Sequence, residues 1–200
     1  MDNLQAEKWN EVASNINFTI EPDFSLFHKY ISLSSKILDY GCGYGRIANQ
    51  LYSNGYKDIV GYDTSSGMIE RGKLLFPHLD LKTSNSIIID SPENYYDAII
   101  CCAVLTCIPD QANQLSVIQE FKRLLKPSGI LYLAEFGRNE QIEYDDHGHF
   151  KTGFDVRMKH FQSDELLNLL KDFDQTSFSN SSTKSISGSE HVAYHFVGRL

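Results

Sequence analysis

Three alternate glycines between two carboxylates carry the clearest chemistry in this chain. The run Ile37-Leu38-Asp39-Tyr40-Gly41-Cys42-Gly43-Tyr44-Gly45-Arg46-Ile47-Ala48 is a short apolar stretch ending in an acid and glycines, after which helical spacing begins. A backbone that must bend sharply and admit a ligand to contact distance needs residues without a Cβ, and Gly41, Gly43 and Gly45 supply them. Asp63 lies 18 residues beyond Gly45, at the end of the next apolar stretch. A carboxylate there accepts both hydroxyl hydrogens of a ribose, with capping of the helix that begins near Thr64 as the other role open to it. Arg46 stands where a dinucleotide fingerprint carries its third glycine, which argues against a pyrophosphate and so against a nicotinamide oxidoreductase.

A second concentration of reactive side chains is Glu143-Tyr144-Asp145-Asp146-His147-Gly148-His149-Phe150-Lys151, where two of the seven histidines stand among three acids. His147 and His149 fit proton transfer to or from a substrate, a solvated connector fits the same composition, and no third ligand follows at zinc spacing. No metal is expected there. The other five histidines read as surface or packing residues.

These residues need elements to hold them. Strand, glycine turn, helix (Ile47 to Tyr52, closed by Asn54-Gly55) and second strand ending at Asp63 make one βαβ unit. Helices are expected over Leu4 to Ala13, Phe24 to Ile31, Ala112 to Leu125 and Phe161 to Lys171, the last capped by Ser163, and Glu21-Pro22-Asp23 separates the first two. Two closing strands, Gln175 to Asn180 and His191 to Val197, are expected on either side of a serine-rich segment, Ser181 to Ser189.

Composition narrows the function classes. The 200 residues carry a net charge of −8 and a pI near 5.3, against the clustered cations that nucleic-acid binding requires. Lys122, Arg123 and Lys126 are the densest basic group and read as a helix's solvated face. A single α/β domain of this size buries ~70% of the unfolded chain's surface. No apolar run approaches the ~20 residues that span a bilayer, and the polar start has no leader pattern, so a cytoplasmic protein, monomer or homodimer, is expected. The four cysteines form no C-x-x-C pair and read as small buried residues.

On four segments in order the chain resembles the class I S-adenosylmethionine-dependent methyltransferases, closely over residues 35 to 136. The segments are the glycine motif; Val60-Gly61-Tyr62-Asp63-Thr64-Ser65-Ser66-Gly67-Met68; Tyr96-Asp97-Ala98-Ile99-Ile100-Cys101-Cys102-Ala103-Val104-Leu105; and Leu124-Leu125-Lys126-Pro127-Ser128-Gly129-Ile130-Leu131-Tyr132-Leu133. The resemblance implies a doubly wound α/β sheet of seven strands, order 3-2-1-4-5-7-6 with the last strand antiparallel and helices on both faces. It implies S-adenosyl-L-methionine as cofactor, with Asp39 and Gly41 near its methionine end, Gly43 and Gly45 in the turn, Asp63 and Thr64 at the ribose, Met68 beside the nucleoside and Cys102 over the cofactor. Asn85 and Ser86 stand where relatives carry an acid at the adenine edge, and Thr106-Cys107-Ile108-Pro109-Asp110 lacks the histidine many relatives place before Ile-Pro.

The expected layout is one domain: residues 1–35 a helical lid, 36–136 the cofactor core, 137–162 an acceptor-side loop, 163–200 a helix and terminal hairpin. Trp9, Phe18, Phe24 and Phe27 of the lid, with Tyr144 and Phe150, are candidates to wall an apolar acceptor pocket. The expected reaction is in-line methyl transfer to O, N or S of a small-molecule acceptor, with His147 and His149 serving that acceptor. A cofactor-binding regulatory protein without turnover is the alternative, and an RNA or protein methyltransferase a further one.

Overall fold

Unbroken apolar runs such as Ala98-Ile99-Ile100-Cys101 suit strands buried on both faces, and the computed structural model, which describes residues 3–153, 155–186 and 188–200, places them at the centre of a sheet. In chain order the elements are α1 (Asn3–Val12), α2 (Phe24–Tyr30), β1 (Ile37–Tyr40), α3 (Arg46–Ser53), β2 (Ile59–Asp63), α4 (Ser66–Leu75), β3 (Asp80–Thr83) and β4 (Tyr96–Cys102). A 3₁₀ turn (Leu105–Cys107) follows, then α5 (Gln111–Leu124), β5 (Leu125–Phe136), β6 (His149–Lys151), β7 (Arg157–Lys159), α6 (Ser163–Leu169), β8 (Asp174–Lys184) and β9 (Glu190–Arg199).

Seven strands pair in the order β3-β2-β1-β4-β5-β9-β8, parallel as far as β5, with β9 antiparallel to both its neighbours. This is the expected order, with the numbering displaced by a separate β6–β7 hairpin. Side-chain alternation sends Leu38 and Tyr40 to the face packed by Val117, Phe121 and Leu124 of α5. Ile37, Ala98 and Ile100 go to the face packed by Phe27 of α2 and Ile47, Ala48 and Leu51 of α3. A third cluster lies off the sheet and joins Trp9 of α1, Tyr44 of the glycine turn, Met68 of α4 and Met158 of β7.

Four expectations need correction. The first four residues of the serine-rich segment are strand: β8 runs on to Lys184 because Ser181, Ser182 and Thr183 pair with Ala193, Val192 and His191. Residues 137–162 are not a plain loop but contain the β6–β7 hairpin, in which His149 pairs with Lys159. The N-cap of α6 is Gln162, whose backbone amide donates to the Glu165 carboxylate at 3.3 Å, rather than Ser163. The first 35 residues do not act together, since α1 lies against α4 through Asn10 Oδ1, which accepts from Ser65 Oγ at 2.7 Å and Gly67 N at 3.0 Å, whereas α2 is part of the sheet core. Met1 and Asp2 of the expected lid, Phe154 of the acceptor segment and Ser187 of the serine-rich segment lie outside the described residues.

Candidate functional site

The glycine turn leaves β1 with φ of +70° at Gly41 and +55° at Gly43, a left-handed backbone that side chains oppose. A Cβ at Gly41 would lie 2.4 Å from Val104 Cγ2, and one at Gly43 would lie 2.5 Å from Phe18 Cε2. The missing side chains therefore admit the protein's own Val104 and Phe18 to the turn. Gly45 sits at the N-cap of α3.

Asp63 ends β2 beside this turn. Its Oδ2 accepts from Gly43 N at 2.8 Å and its Oδ1 from Ser65 N at 2.8 Å. It orders the turn into α4, whose N-cap is Ser65, and it lines the cleft beside the glycine turn. Burial pushes its carboxyl up while the backbone donors pull it back. Asp39 lies deeper, 1% exposed, with Oδ2 accepting from Ala48 N at 3.1 Å; desolvation drives its pKa up to about 7.

An open cleft is lined by Gly41, Asp63, Thr64, Met68, Ser86 and Cys102 of the expected set, together with Trp9 and Phe18. Asp39, Gly43 and Gly45 shape the turn without lining the cleft, and the exposed Asn85 is also absent from its wall, between Ser84 and Ser86, which are present. Arg71 fixes the cover, since its guanidinium lies 3.9 Å from the Tyr44 ring centre and donates to the carbonyl of Ala13 at 2.9 Å.

A second cavity shares Trp9, Phe18, Gly41, Cys102, Ala103 and Cys107 with the first and adds Ile20, Arg46, Phe136, Met158 and Ile186. The expected aromatic wall is therefore Trp9 and Phe18 joined by Phe136. Phe27 is core, edge-on to Tyr56 and Tyr132, and Tyr144 and Phe150 pack around the ring of His160. Ala103 turns between the cavities at φ +56°, a left-handed conformation that no sequence signal announces for an alanine.

Glu135, at the end of β5, is fully buried and faces neither cavity. Its Oε1 accepts from Val104 N at 3.0 Å and Leu105 N at 2.8 Å, and its Oε2 from Thr106 N at 3.0 Å. It holds the loop after β4 in place, with a pKa that burial raises to about 8 against those donors. His147 and His149 line a third, polar groove with Lys8, Asp110 and Arg157, which shares Gln5 with the first cleft and neither histidine with either cavity. His149 Nε2 donates to the carbonyl of Pro109 at 2.9 Å, and its Nδ1 lies 2.9 Å from Asp145 Oδ2. The structure does not bring these histidines together with the glycine turn.

A family described as "Methyltransferase domain" matches residues 10–180. The chain belongs to this methyltransferase family. It is 30% identical over 115 residues to Methyltransferase-like protein 27 of Homo sapiens, covering 56% of this chain and 45% of that one. To the ubiquinone biosynthesis O-methyltransferase of Aliivibrio fischeri it is 29% identical over 130 residues, covering 62% and 51%. The chain thus spans about half the length of these curated relatives. A solved SAM-dependent methyltransferase from Methanosarcina mazei superposes with a TM-score of 0.81 at 25% identity, over 90% of this chain and 97% of that one. The methyltransferase fold of the sequence reading is the fold found, and S-adenosylmethionine is the cofactor of this family.

Proposed function

We propose that this chain is an S-adenosylmethionine-dependent methyltransferase acting on a small-molecule acceptor. The observation that carries the reading is the meeting of two cavities at Gly41, Cys102, Ala103 and Cys107: one reaches the Asp63 carboxylate, the other is mostly apolar. The residues fit the cofactor. Asp63, Thr64, Met68 and Ser86 line one cleft, with the exposed Asn85 next to Ser86 in sequence. Gly43 and Gly45 keep the turn narrow beneath, and Asp39 fixes the start of α3 behind Gly41.

When bound, the cofactor supplies a sulfonium methyl that is already electrophilic. The protein's part is alignment and exclusion of water, and good alignment alone is worth roughly 7 to 11 kcal/mol. Trp9 and Phe18 cover the junction, and α1 is tied over it by Lys8 Nζ to Asp155 Oδ2 at 2.7 Å and Gln5 Nε2 to the carbonyl of Arg157 at 2.7 Å. His149 enters this reading as a holder of the β6–β7 hairpin through Asp145 and Pro109, with His147 beside it, so their loss is expected to spare cofactor affinity and to reduce turnover only through acceptor positioning. Among the described residues no helix is long and apolar enough to cross a membrane.

Calorimetry with S-adenosylhomocysteine tests the cofactor reading. Asp63→Ala removes two hydroxyl-directed bonds to a charged acceptor, each worth ~1.5 to 3 kcal/mol, so affinity is expected to fall at least tenfold in a folded sample. Wild-type affinity in that variant, or binding of NAD in place of S-adenosylhomocysteine, overturns it.

A further inference from the structure

Alcohol and phenol acceptors need a base near the methyl, and the second cavity offers none. Among the described residues lining it there is no Asp, Glu, His, Lys or Tyr. Its ionisable groups are Arg46, a cation, and three cysteines whose thiols burial holds well above their usual pKa and so protonated. Glu135 is buried beneath the neighbouring loop with both oxygens engaged. His160 contacts the ring of Phe136 but is spent on Tyr144, whose hydroxyl lies 2.8 Å from its Nδ1.

Two polar atoms point to what the cavity takes. Thr19 and Arg46 both line it, and Thr19 Oγ1 and Arg46 Nε are buried with no hydrogen-bond partner among the described residues. The rest of the Arg46 guanidinium is occupied, by Glu21 Oε1 at 2.6 Å and by the carbonyl of Ile20. Two unmet N–H and O–H donors, one of them cationic, in an otherwise apolar and sulfur-bearing wall ask for an acceptor atom that is anionic or rich in lone pairs on an apolar body.

We propose that the methyl acceptor is a small apolar thiol that reacts as its thiolate, ionised by its own acidity and not by a protein base. This rests on the cofactor reading above. The thiol gives its proton to water before the step. The thiolate sulfur then forms a bond to the methyl carbon as the sulfonium carbon–sulfur bond breaks, its electron pair staying on the cofactor's sulfur. Opposite charges are annihilated in that step, and a low-dielectric cavity favours it because the attraction is weakly screened there. An amine would keep the positive charge inside the same apolar wall, and a phenol would arrive protonated with nothing to take its proton.

Thiophenol, phenol and aniline bearing the same alkyl group, each offered with S-adenosylmethionine across a range of pH, separate the possibilities. The thiol is expected to be methylated faster than the phenol by the ~10² to 10⁴ that a positioned base would otherwise contribute. Its pH profile should move with the acidity of the thiol when a more acidic analogue is used. Equal rates for the phenol, a profile that stays fixed, or fastest turnover of the aniline overturns the proposal. So does a lack of turnover in all three while S-adenosylhomocysteine binds, whereas absence of that binding overturns the cofactor reading instead.

Binding gives a second readout, because Trp9 is the single tryptophan and lines both cavities. Titration of its fluorescence with thiophenol should show affinity rising as pH crosses the thiol's own pKa. Thr19→Val, which keeps shape and drops the hydroxyl, should weaken that binding roughly tenfold with S-adenosylhomocysteine affinity unchanged. Arg46→Lys asks the same of the guanidinium, and Thr19→Val carries the test should Arg46→Lys fail to fold. A loss of S-adenosylhomocysteine affinity in Thr19→Val gives the unmet donors to the cofactor and overturns the assignment.

Discussion

Asp39 shows how one buried carboxylate leaves a trace in the whole protein's stability. Its folded pKa, raised to about 7 by burial, lies above the ~3.9 of an unfolded aspartate. Between about 4 and about 7 the folded chain therefore binds more protons than the unfolded one, and the group's contribution to stability falls as pH rises through that window. Asp39→Asn keeps an oxygen for the Ala48 amide and removes the titration. The wild-type denaturation midpoint, measured against this variant, is expected to decline from about pH 4 to about pH 7 and to run parallel to it outside that range; parallel curves throughout would mean that Asp39 is not desolvated.

At the scale of elements, the loop from Ala103 to Cys107 is ordered from outside by Glu135, which answers three amides that a short 3₁₀ turn leaves unpaired. Glu135→Gln presents an amide NH₂ to backbone donors that the carboxylate accepted. The expected cost is ~1 to 3 kcal/mol in the denaturation midpoint, together with weaker S-adenosylhomocysteine binding, because Val104 packs at Gly41. Unchanged affinity at lowered stability would confine Glu135 to a purely structural role. The tie between α1 and the β6–β7 hairpin behaves differently. Lys8–Asp155 is an ion pair with an exposed acid, so Lys8→Ala should cost at most ~1 kcal/mol of stability while speeding cofactor release in stopped flow.

Across the whole molecule, one hydrogen-bonded line joins segments far apart in sequence. Asp23 N donates to Tyr132 Oη at 2.7 Å, Tyr132 Oη lies 2.9 Å from His195 Nδ1, and His195 Nε2 lies 2.7 Å from Ser181 Oγ. Burial holds His195 toward its neutral form, in which Nδ1 accepts from the tyrosine and Nε2 donates to the serine. The line connects the entry to α2 with β5, β9 and β8, remote from both cavities. Tyr132→Phe strands a backbone amide and an imidazole nitrogen and should lower stability by ~1 to 3 kcal/mol. Cofactor affinity by calorimetry should stay at the wild-type level, and a drop would mean that the line reaches the site.

What the residues determined alone is the part of the molecule governed by local rules. The glycine turn, Asp63 and the first βαβ unit were legible because φ above zero, period-two burial and βαβ spacing are written into consecutive residues, whereas the sheet order came with the family resemblance. The tertiary structure decided what depends on distant partners. Glu135 ends the fifth strand and is consumed by three amides some 30 positions away. The serine-rich segment looked like a connector, and its first four residues became strand because β9 offered them a ladder. His147 and His149 line a groove that the glycine turn does not enter, since the β6–β7 pairing of His149 with Lys159 joins residues whose contact no local pattern encodes. Thr19 and Arg46 meet in one cavity for the same reason: sequence proximity fixes turns and periods, whereas a cavity is the space left when separate elements pack.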